Sequence, residues 1–138
     1  MLPRASGMYQ GKLAQLIQNP RHVGELPNPS GVGEVTNPVC DDRMRLSIVV
    51  SDGVITDARF KVYGCAPTIA TGSVAADLII GKTLDDALRI TRDAISQAVG
   101  GLPNTKIHCA TLALDAIWAA IADWRRRQQV SGRWQDQR

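Results

Sequence analysis

The residues with reactive chemistry are few and unevenly placed. Three cysteines stand at positions 40, 65 and 109; one of the two histidines, His108, directly precedes Cys109, and two carboxylates, Asp41 and Asp42, directly follow Cys40. Three thiols, a carboxylate and an imidazole are the donor types of a tetrahedral zinc site or of the irons in a small cluster. An odd cysteine count, behind an N-terminus (Met1-Leu2-Pro3-Arg4) without a signal-peptide apolar stretch, argues against a disulfide framework and predicts free thiols in a cytoplasmic protein. There is no C-x-x-C. Spacing alone leaves open both a metal or sulfur site and three isolated cysteines acting as small buried hydrophobes.

The elements that must position these groups follow from periodicity. Leu13, Leu16 and Ile17 predict a short helix over 9–18, stopped by Asn19-Pro20. Residues 19–40 are rich in proline and glycine, with a short first strand expected over 33–37. Met44, Leu46, Ile48 and Val50, then Thr56, Ala58, Phe60 and Val62, alternate with their neighbours and read as two half-buried strands. Ser51-Asp52-Gly53 joins them as a hairpin. Folding about residue 52 or 53 sets Cys40 and Asp42 beside Cys65 at the hairpin's open end, and Asp42 shares a strand face with Cys40 that Asp41 does not.

Beyond Cys65 the chain reads as helical. Pro67 suits a first turn, Ala70, Val74 and Leu78 form a row, and Gly81 closes it. Thr83 and Thr91 open two further helices, and a last helix from about Cys109 to Arg127 carries Ala113, Ile117, Ala120, Ile121 and Trp124 on one stripe. Strands followed by helices predict an α+β domain, a small three-stranded antiparallel sheet with helices packed against it. Cys65 and Cys109 both fall at predicted helix starts, where the macrodipole and free N–H groups favour the thiolate. Nothing in the helical half brings His108-Cys109 to the hairpin.

Composition bounds the rest. With 138 residues and 44% hydrophobic positions the chain suits one domain that needs no staples. The longest uninterrupted apolar run, 116–122, is too short for a membrane span. The net +3 is concentrated in Arg125, Arg126, Arg127, Arg133 and Arg138; residues 1–124 carry 11 bases against 12 acids. That division separates a domain over 1–124 from a basic helix end and tail over 125–138, expected to be solvated rather than a nucleic-acid surface.

Ordered stretches of the chain resemble the U-type iron-sulfur cluster scaffolds, the family of IscU and the NifU N-terminal domain. They are Asn19-Pro20-Arg21-His22-Val23-Gly24, Val39-Cys40-Asp41-Asp42-Arg43-Met44, 57–65 ending in Tyr63-Gly64-Cys65, 81–87, and Leu102-Pro103 through Lys106-Ile107-His108-Cys109 into Asp115-Ala116-Ile117. The resemblance spans about 9–124 and implies the SufE/NifU-like fold. It implies a non-enzymatic platform that takes sulfur from a cysteine desulfurase, collects iron, assembles a labile [2Fe-2S] cluster and passes it to apo-proteins, with a frataxin-like protein as a further partner. By the same likeness Cys40, Asp42, Cys65, His108 and Cys109 are the metal ligands and Cys109 is the persulfide acceptor.

The chain departs from the family pattern at three places. Asp41 replaces the usual glycine, Cys65-Ala66-Pro67 replaces Cys-Gly-Ser, and Leu102-Pro103-Asn104-Thr105-Lys106 lacks the central Pro-Val that marks scaffolds served by an Hsp70-type chaperone, which argues against that partnership. His22 reads as an exposed loop side chain, Trp118 and Trp124 as packing or interface residues, and Ser73 as no nucleophile. The competing function is a zinc-bound sulfurtransferase relaying persulfide through Cys109. The insertion typical of such proteins between the second and third cysteines is missing here.

Overall fold

The computed structural model describes residues 11–38 and 41–136, and side chains up to residue 129; Cys40, Arg138 and the first ten residues lie outside the described part. Helix α1 (Gly11–Gln18) leads into β1 (Gly31–Thr36), β2 (Arg43–Ser51) and β3 (Val54–Tyr63). Then follow α2 (Ala66–Ile79), α3 (Leu84–Leu88), α4 (Arg92–Ala98), a 3₁₀ turn (Asn104–Lys106) and α5 (Ile107–Asp136). The sheet is antiparallel in the order β1-β2-β3.

The hairpin forms as its alternation requires. Met44, Leu46 and Ile48 of β2 and Ala58 and Phe60 of β3 are buried on one face, under α2 and α5. Asp52 and Gly53 both have positive φ (54° and 77°), the pair of left-handed residues that a two-residue turn of matching twist needs. Pairing runs from Ser51↔Val54 through an irregularity at Val49/Val50 to Arg43↔Tyr63. Continuing that register sets Asp42 opposite Gly64, so β2 enters and β3 leaves beside the start of α2.

Helices α3 and α4 begin where their caps require. Thr83 Oγ1 accepts from the Asp86 N–H at 3.2 Å and Thr91 Oγ1 from the Ala94 N–H at 3.0 Å. Helix α2 is buried almost all round, with Ala70, Val74, Ala75, Ala76 and Ile79 in the core. Its Gly72 is demanded by contact, since a Cβ there would lie 2.5 Å from the Phe60 ring. The loop after α1 runs along the free edge of β3. The Gly24 N–H donates to Phe60 O at 2.8 Å and the Phe60 N–H to His22 O at 2.9 Å. His22 is therefore half-buried and pairs with Asp77 at 3.2 Å, in place of the exposed side chain expected. Ser73 accepts from the Arg21 N–H at 2.8 Å.

β1 is longer than its sequence suggests. Gly31, which resembles a loop residue, joins Gly33 in the strand, and α5 passes directly over both. A Cβ on Gly31 would sit 2.5 Å from Ala120 O, and one on Gly33 would collide with the Ala120 and Ala116 backbone. Small residues here set the approach distance of helix to sheet. The α5 stripe of Ala113, Ala116, Ile117, Ala120 and Ile121 is buried and Trp124 half-buried. By length and composition 104–129 would suffice to cross a bilayer, but half of its most apolar 18-residue window is buried in the fold and its apolar face is the one that covers the sheet.

Helix α5 continues through Arg125, Arg126 and Arg127, whose side chains are exposed and pair with acids. Asp123, nearly buried, accepts from the Val32 N–H at 2.9 Å and pairs with Arg126 and Arg127. Arg127 also donates to Pro29 O at 3.0 Å, and Arg125 lies 3.6 Å from Asp85. The carboxylate thus ties α5 to the free N–H of an edge strand. Replacing Gly33 by Ala should cost ~1–3 kcal/mol, the usual penalty for overpacking. Urea unfolding would read this as a lower midpoint, and an unchanged midpoint would show that α5 is free to lift off β1.

Candidate metal centre

Three separate chain segments deliver the donor groups. Asp42 enters from the turn between β1 and β2, which the Asn37 N–H to Asp42 O and Asp41 N–H to Asn37 O bonds close at 2.7 Å each. Asp41 takes φ 61°, a conformation glycine adopts more readily, which gives a backbone reason for the residue usual at this place in the family it resembles. Cys65 is the N-cap of α2 and is partly exposed. His108 and Cys109 sit in the first turn of α5, which starts two residues earlier than its periodicity suggests because the 3₁₀ turn feeds directly into it.

Each of Asp42, Cys65, His108 and Cys109 brings one donor atom within 4.8 Å of the others. The individual separations are closer. Cys65 Sγ lies 3.4 Å from Asp42 Oδ2 and 3.6 Å from Cys109 Sγ, while His108 Nε2 lies 3.7 Å from both Asp42 Oδ2 and Cys109 Sγ. Around a four-coordinate ion with bonds of ~2.0 Å to N or O and ~2.3 Å to S, tetrahedron edges run about 3.3–3.8 Å. Four measured edges fall in that range. The donor set and its spacing therefore fit a tetrahedral metal without large movement. Cys40 lies outside the described residues, and His22 is at the Asp77 cluster.

Gly64 is part of this packing, since a Cβ there would meet Asp42 Oδ1 at 2.5 Å. Asp42 and Cys109 are buried, whereas the His108 side chain is 25% exposed. On the His108 side a groove of about 450 Å³ opens between Asn37-Pro38 and α5, lined also by Arg92 and Asp115.

The thiolate expected at Cys109 from its helix-start position is not favoured in the metal-free protein. Burial pushes the Cys109 thiol from 9.0 up to about 12; the hydrogen bond from Thr68 opposes this, and the nearby Cys65 and Asp42 charges add to it. Desolvation is the largest of these effects. A divalent ion among the donors would reverse the balance, because a coordinating thiol gives up its proton.

Thr68 is the residue that sequence reasoning missed. Fully buried on the first turn of α2, its Oγ1 lies 3.1 Å from Asp42 Oδ2, 3.3 Å from Cys109 Sγ and 3.2 Å from Cys65 Sγ. Its only signal was a hydroxyl three positions after a helix-capping cysteine.

The family model for the NifU-like N-terminal domain matches residues 8–131. The chain belongs to that family. It is 49% identical over 120 residues to a protein of Archaeoglobus fulgidus named iron-sulfur cluster assembly scaffold protein IscU 1, covering 87% of this chain and 78% of that one. It is 44% identical over 126 residues to the IscU scaffold protein of Escherichia coli K12, covering 88% of this chain and 98% of the relative. Among solved structures, a NifU-like N-terminal protein from Brucella abortus superposes with a TM-score of 0.73 at 23% identity, over 90% of this chain and 99% of that one. A scaffold protein from Fervidobacterium islandicum gives 0.69 at 22% identity, over 83% and 98%. Both share the α+β fold, with the three-stranded antiparallel sheet expected.

The raised Cys109 thiol carries a stability consequence with a definite sign. Below pH 9 the thiol is protonated in both folded and unfolded chains; between pH 9 and 12 the unfolded chain ionises first, so folding stability falls. Urea midpoints of the metal-free, reduced protein should drop more steeply across that window than those of Cys109→Ala. Parallel curves for the two proteins would show that the thiol ionises freely in the fold.

Proposed function

We propose that this chain is an iron-sulfur cluster assembly scaffold that receives sulfur and iron, builds a labile [2Fe-2S] cluster at Asp42, Cys65, His108, Cys109 and Cys40, and releases it to apo-proteins. The observation that carries this reading is the tetrahedral spacing of two thiols, one imidazole and one carboxylate in a chain 44–49% identical to proteins named as IscU scaffolds. Five candidate donors serve four protein positions on a two-iron cluster, which leaves one group free to exchange. An oxygen donor in place of a fourth thiolate binds iron less strongly than sulfur does and makes the cluster removable. A carrier of electrons would favour four cysteines.

Sulfur arrives as a persulfide on a cysteine desulfurase. In the step we assign to Cys109, its thiolate attacks the outer sulfur of the donor persulfide. A new sulfur–sulfur bond forms at Cys109, the donor's sulfur–sulfur bond breaks, and the electron pair leaves on the donor's thiolate. The chain requires no bound small-molecule substrate for this and acts as acceptor and carrier, in the cytoplasm. Because burial protonates the metal-free Cys109, prior metal binding is what readies the nucleophile.

Zinc suits the same tetrahedron, and with zinc retained the site would serve as a persulfide relay. Occupancy alone does not separate the two readings; transfer does. Anaerobic reconstitution with iron, cysteine and desulfurase should give a chromophore that passes to apo-ferredoxin. Persulfide relay with tightly held zinc and no transferable cluster would establish the sulfurtransferase instead. Asp42→Ala should slow cluster loss, read as slower bleaching with a chelator, and equal or faster loss would remove the carboxylate from the release step. Cys109→Ser should abolish most persulfide loading from the desulfurase; normal loading would move the acceptor role to Cys40 or Cys65.

A further inference from the structure

A hydroxyl carries one proton and two lone pairs, so it donates to only one partner at a time. Thr68 Oγ1 faces three potential acceptors at the metal centre: Asp42 Oδ2, Cys109 Sγ and Cys65 Sγ, at 3.1, 3.3 and 3.2 Å. Thr68 is 0% exposed, and among the described residues these groups are the polar partners of its side chain. Its backbone is fixed independently. The Thr68 N–H donates to Cys65 O at 3.1 Å, and Thr68 O accepts from the buried Thr71 hydroxyl at 3.0 Å.

We propose that Thr68 is a positioning residue for ligand exchange, its hydroxyl turning to donate a hydrogen bond to whichever of the Asp42 carboxylate and the two sulfurs is off the metal. This rests on the scaffold reading above and adds a residue to it. The Asp42 carboxylate and the Cys109 thiolate are buried, so neither is solvated when it leaves a metal, and an unsatisfied buried charge is costly; Cys65 is partly exposed and depends on the hydroxyl less. A hydroxyl within 3.1–3.3 Å of each leaving group supplies the missing donor at once. Rotation about one side-chain bond redirects the proton, with no backbone change and no bond to oxygen formed or broken. The hydroxyl thereby stabilises the partly detached state and speeds exchange, while the metal-bound state gains less from it because the ligand's charge is already engaged.

The test is the rate of Zn²⁺ release from the zinc-loaded full chain to a colorimetric chelator, at chelator concentrations where the rate no longer depends on chelator. A hydrogen bond to a charged group is strong enough that its loss should slow release by roughly 10–100-fold. Thr68→Val keeps the volume and removes the hydroxyl, and Thr68→Ala removes both hydroxyl and methyl; both should release slowly. Thr68→Ser keeps the hydroxyl and loses the methyl, and should release at close to the wild-type rate. A purely packing role would give the opposite pattern, with Val normal and Ser loosened. Val and Ala releasing at the wild-type rate or faster, or Ser behaving like Val, would overturn the assignment while leaving the scaffold reading intact. Failure of the wild-type chain itself to bind Zn²⁺ through thiolates would overturn both.

Discussion

The close seating of α5 on β1 is the constraint on which the candidate metal centre depends. His108 and Cys109 lie 43 and 44 positions beyond Cys65, and no local pattern ties them to the hairpin. They reach it because two glycines let the helix backbone approach the strand, and because Asp123 anchors the same helix through the Val32 N–H. With α5 so placed, its first turn ends above the exit of β3, where the register of the hairpin has already put Asp42 beside Gly64 and Cys65. Geometry at one end of the helix is thus determined by contacts two to four turns away.

That placement has an energetic cost, met in an unusual way. Burying a carboxylate and a thiol beside one another is unfavourable when no ion is present. The chain answers with a web of contacts among the donors themselves and the Thr68 hydroxyl, and by leaving the Cys109 proton in place. Such a site is held together when empty but gains much on receiving a cation. On the proposed function, the groove beside His108 and the partial exposure of Cys65 would give a cation and sulfur a way in. For a carrier, whose cargo must enter and leave, donors poised between pairing with each other and pairing with metal are better suited than a rigid cage.

Much of the frame could be read from residue order. The alternation of 44–50 and 56–62 with Asp52-Gly53 between them sets the hairpin and brings Asp42 to Cys65 within one residue; Thr83 and Thr91 mark helix starts as capping chemistry demands. The features that escaped are those decided by contacts between distant segments. Gly31 looks like loop until a helix is seen above it. A helix start favours the Cys109 thiolate locally, but burial, which only the assembled fold determines, pushes the thiol up. Thr68, an ordinary helical threonine in sequence, becomes central only once Asp42 and Cys109 arrive around it.

The central claim is that Asp42, Cys65, His108 and Cys109 together hold one metal ion as a ready-made tetrahedron. X-ray absorption at the zinc edge of the stoichiometrically loaded protein tests it directly. Two sulfur neighbours at ~2.3 Å and two nitrogen or oxygen neighbours at ~2.0 Å are expected. A first shell with fewer than two sulfurs, or one in which a third sulfur replaces oxygen, would contradict it.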